Sequence, residues 1–143
     1  MSEVGEVRRR LLAMIAQTRE AAVARRARAE ISEVRARRFI QDVATPVMCQ
    51  VVSVLKMEGF ACELSTPVGS ARLVSERHHE DFIDLTVDTT QDPVVIMTLV
   101  SHVRGRRVST TERPFADGLE VDQLTEEHVL KFLLAELPVF VER

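Results

Sequence analysis

The chain has no Trp and no Tyr, and its only aromatics are six Phe. Sites that hold nucleic-acid bases by stacking need aromatic faces, so this composition argues against a base-stacking platform. Glycine is sparse. Gly5, Gly59, Gly69, Gly105 and Gly118 are too scattered to form GxGxxG, GxxxxGK[ST] or GxSxG, which leaves no phosphate-cradling loop. The two cysteines, Cys49 and Cys62, form no CxxC pattern and read as free thiols in a cytosolic protein rather than as a disulfide. Long apolar runs are also missing: Leu11 to Ala16 is too short for a secretory leader, and nothing approaches the roughly eighteen residues of a membrane helix. The expectation is a soluble, cytoplasmic protein with no membrane contact.

The first proline is Pro46, and before it the only glycine is Gly5. Ala, Arg, Glu and Leu dominate this stretch, so one long helix is predicted. Residues 1–40 carry ten of the nineteen basic groups and five of the twenty-two acids, a net of +5. The remainder carries −8, so the overall −3 conceals two parts of opposite sign. The division predicted is a basic helical arm for assembly, 1–44, and a compact body, 45–143.

Thr45 reads as a cap and Pro46 as the first position of a second helix reaching about Met57, with Gly59 as its stop. A kinked continuous helix is the alternative. The period then changes to two. Strands are predicted from Phe60 to Ser65, Ala71 to Glu76, Phe82 to Asp88, Val94 to Val103 and Arg107 to Glu112, joined by turns at 67–70, 91–93 and 104–106. Thr125 caps a final helix whose stripe holds Val129, Phe132, Leu133, Leu137 and Phe140, with Pro138 ending or kinking it. The class is α+β: a long N-terminal helix, a short second helix, a five-stranded antiparallel meander, and a C-terminal helix packed on one sheet face.

Chemistry is thinly represented. His78 and His79 sit in the polar stretch Glu76 to Asp81, but the i, i+4 spacing of a helical zinc site is absent, and an inter-strand loop is expected to be polar anyway. His102 and His128 read as structural residues. Asp84 and Asp88 share one strand face roughly 13 Å apart, beyond the spacing of glycosidase carboxylate pairs, and read as part of a solvated face. The expectation is no catalytic site, no metal and no cofactor.

The arm carries the functional reading. One apolar stripe runs through Val7, Leu11, Ile15, Thr18, Ala22, Ala29, Ala36, Ile40 and Val43. Leu12, Ala16, Val23, Ala27, Ile31 and Val34 are read as its neighbour. Alanines fill the middle, so a second helix could approach near Ala22 to Ala24. An antiparallel pair centred there sets Ile15 by Ile31, Leu12 by Val34 and Glu20 by Arg26, but also Arg9 by Arg37. A strict heptad fails at Arg25 and Arg28.

The leading expectation is therefore a non-enzymatic interaction module. It homodimerises through Leu11, Leu12, Ile15, Ala22, Val23, Ala27, Ile31 and Val34, with a protein partner in view. The alternative is nucleic-acid association through Arg8, Arg9, Arg10, Arg25 and Arg26 on phosphates, against which the acidic body weighs. A small enzyme or metal site at the His78–His79 loop is the second alternative.

Overall fold

Helix-forming residues without proline or β-branched clusters give α1, Val4–Phe39, a 36-residue helix about 54 Å long. A computed structural model of the chain describes residues 3–142. The helical path does not stop at the proline. Ile40–Ala44 is one turn of π-helix, and α2, Thr45–Met57, continues directly from it. Pro46 has no N–H, and its ring would strike the carbonyl four residues back in a regular helix. Widening the preceding turn relieves that conflict, and the Thr45 N–H donates to the Ile40 carbonyl. Thr45 Oγ1 donates to the same oxygen at 2.7 Å, so Thr45 is a helical residue back-bonded to the turn before it, not a cap. The continuous helical path, rather than a fresh start at Pro46, is the form adopted.

Gly59, at φ +91°, ends α2. The sheet follows as β1 Cys62–Ser65, β2 Ala71–Ser75, β3 Phe82–Asp88, β4 Val95–Arg104 and β5 Arg107–Pro114, all antiparallel neighbours in chain order. Period-two alternation divides the faces. Leu73, Ile83 and Val100 are aligned across β2, β3 and β4 and point into the core with Ala71, Leu85 and Ile96. On the other face, Asp84 accepts two hydrogen bonds from Arg72, both at 2.6 Å, and the Arg72 guanidinium lies 4.3 Å from the centre of the Phe82 ring. That pairing covers Asp84 almost fully and raises the Arg72 pKa, chiefly through the hydrogen bond to its carboxylate. The other acid of the anticipated solvated face, Asp88, closes a turn by accepting from the Thr90 N–H and the Gln91 amide.

Thr125 caps α3, Glu126–Glu136, in a reciprocal box with His128, and Pro138 begins a last short turn, α4, Pro138–Val141. Val129 and Leu133 of α3 join Ala36, Phe39, Ile40, Met48 and the inner sheet face in one core. Phe115 lies between Phe39 and Phe132, with ring centres 5.9 and 5.5 Å away. The last turns of α1 are thus part of the body's core.

Candidate assembly interface

Upstream of those turns the arm leaves the body behind. From Glu3 to Ala21 every residue except Glu6 is exposed, Val7, Leu11, Leu12, Met14 and Ile15 among them. Of the residues predicted to form an interface, Leu11 is 50% exposed, Leu12 53%, Ile15 38%, Val23 62%, Ile31 53% and Val34 50%; Ala27 is open and Ala22 half-covered. An isolated helix gains little from propensity alone, so a run of this length with no tertiary cover depends on its own side-chain pairs. Glu6 holds Arg9 at 2.8 Å and Arg10 at 3.0 Å, and Glu33 holds Arg37 at 2.7 Å. These i, i+3 and i, i+4 pairs each contribute a few tenths of a kcal/mol on an exposed surface.

The two apolar stripes are not adjacent. Ala36 and Ile40 carry the first stripe into the core, while Ile31 and Val34 of the second remain open. At about 100° per residue the two run roughly 150° apart around the helix. The first stripe is the one that continues the body's own packing surface outward.

At the base of the arm lies a groove of about 530 Å³ between α1 and the segment linking β5 to α3. Its apolar lining includes Ile31, Val94, Ile96, Phe115, Leu119 and Leu124. A 3-10 turn at Val121–Gln123 shapes the far wall, closed by Glu120 and Gln123 in a capping box. Arg35 reaches across to Asp122 at 3.4 Å. The charged lining residues are Arg28, Arg35, Glu120 and Asp122, two of each sign, so the groove has no net charge to attract an ion. No motif or local period in the sequence marks this site. Its one signal was the apolar set Phe115, Leu119, Val121 and Leu124 in a stretch with no strand or helix period.

The five arginines considered for phosphate contact are all exposed. Arg8 and Arg26 share a side of the helix, whereas Arg9 and Arg10 lie about 100° and 200° from Arg8, so they form no single basic face. The His78–His79 loop is organised by its backbone. The Asp81 N–H donates to the His78 carbonyl at 2.8 Å, and Asp81 Oδ1 accepts from the Val103 N–H at 3.0 Å. Among the described residues no three His, Cys, Asp or Glu side chains gather as metal ligands, and no helix is long and apolar enough to cross a membrane. Both thiols are free. Cys49 is exposed, and burial pushes the pKa of Cys62 up.

No protein-family model, curated protein or solved structure matches this chain.

Proposed function

We propose that the chain is a non-enzymatic assembly module that homodimerises through its N-terminal arm and presents its α+β body to a protein partner. One observation carries the reading: a 36-residue helix leaves large apolar side chains open along a length that its own body does not reach. Such a surface is characteristic of an interface. The arm's +5 against the body's −8 favours contact between copies. Its two unbridged thiols agree with a reducing, cytoplasmic setting.

The test uses the intact chain with Leu11→Glu and Ile15→Glu. Both residues are open, so the body's fold is spared. Burying each such side chain contributes about 1.5–3 kcal/mol, so the pair weakens association by about a hundredfold or more. Sedimentation should show a dimer for the parent and a monomer for the variant, with unchanged circular dichroism from the sheet. An unaltered mass distribution contradicts the reading. Binding of DNA or RNA at low salt that is lost on replacing Arg8, Arg9, Arg10, Arg25 and Arg26 points to phosphate contact instead.

A further inference from the structure

We infer that the groove at the base of the arm receives the N-terminal half of the arm of a second copy, with the two arms antiparallel about Val23. The inference rests on the dimeric reading above and specifies its surface. Along the seam that passes from the open arm to the groove, the residues are Val7, Leu11, Met14, Thr18, Ala21, Arg25, Arg28, Ser32 and Arg35. They recur at three- and four-residue steps, so they share one side of α1. The N-terminal half of that seam is apolar and uncovered. The C-terminal half is polar, and beside it the body supplies the apolar groove. An antiparallel partner brings the first kind of surface to the second.

The levels agree. With the two-fold axis at the level of Val23, Met14 of one copy lies level with Ser32 of the other, Leu11 with Arg35 and Thr18 with Arg28. Those three positions on the receiving helix line the groove. Leu11 and Met14 then lean toward Ile31, Leu119 and Leu124. The same register sets Arg25 beside Ala21. It also sets Arg9 level with Arg37 and Arg8 level with Arg38, on the sides of the helices turned from the seam, and within each arm Glu6 holds Arg9 at 2.8 Å and Glu33 holds Arg37 at 2.7 Å. Arg35 is likewise occupied by Asp122.

The groove's character selects this occupant over a small anion, since its lining charges cancel and its floor is aliphatic and aromatic. A chain cannot fill its own groove with its own arm, because α1 runs helically away from it without a turn. Two copies related by a two-fold axis fill both grooves at once and close the assembly. Roughly 25 residues a side take part, counting half of the arm and the groove walls, which is the size class of a stable interface.

The test is cross-linking in a Cys49→Ser background. The variant with Met14→Cys and Ser32→Cys should form an inter-chain disulfide quantitatively on mild oxidation, whereas Met14→Cys alone should not. Leu119→Asp, at a partly open groove residue, should weaken the dimer about tenfold or more. Rapid cross-linking of Met14→Cys alone means parallel arms and overturns the inference. A dimer that neither cross-links through Met14 and Ser32 nor responds to Leu119→Asp also overturns it, while leaving the arm-mediated dimer standing. A monomeric parent chain removes both.

Discussion

At the residue scale, the two cysteines separate by environment alone. Cys49 sits open on α2, and Cys62 starts β1 against the core, where burial raises its pKa above the ordinary thiol value. Thiolate is the reactive form, so a thiol reagent at neutral pH should titrate one fast group, lost in Cys49→Ser, and one that reacts only on unfolding. Two equally fast thiols contradict this placement. Asp88 makes a similar point for acids. Hydrogen bonds from Thr90, with a further one from Gln91, hold its pKa below the ordinary carboxylate value. A depressed native pKa adds stability that is present above the unfolded value of about 3.9 and is lost as pH falls through the native value. Thr90→Ala removes the hydroxyl donor, and NMR titration should find the Asp88 pKa moved up toward the ordinary value. An unmoved titration would show that the turn's backbone alone sets it.

At the element scale, the helical arm, the meander and the final helix were legible because each rests on a local period. Val94 to Val103 reads as a central strand from its apolar run, and β4 occupies Val95–Arg104 between β3 and β5. Thr125 caps as its side-chain chemistry predicts. The passage through Pro46 was less legible. Pro46 fits both a new helix start and an interruption of an old one, and the choice turns on whether the preceding turn can widen. Here it does, and Thr45 contributes a hydroxyl that only the folded turn aligns with Ile40. Thr45→Val keeps the shape and removes that bond. It should cost about 0.5–1.5 kcal/mol in urea unfolding at an unchanged slope. No loss of stability would mean that the backbone bonds of the π turn suffice. The groove was illegible for a different reason. Its walls come from α1 and the β5–α3 segment, some ninety residues apart in sequence, and no local period announces such a meeting; Arg35 and Asp122 show how far apart the partners are.

At the scale of the whole molecule, sequence asymmetry and structure converge on an arm whose last turns are core and whose N-terminal part overhangs the body. Ala36, Phe39 and Ile40 anchor it within the body, and Leu11, Leu12 and Ile15 stand clear. Helix geometry alone sets the two apolar stripes about 150° apart, and the fold adds that Ala36 and Ile40 take the first of them into the core. That places the first stripe and the groove on adjoining sides and leaves Leu12, Val23 and Val34 facing away. A free monomer would expose all of these surfaces together. The measurement that tests this most directly is light scattering on the intact chain across a concentration series. The account predicts a mass of twice the chain's 16.1 kDa. A mass of 16.1 kDa that persists to high micromolar concentration would contradict it.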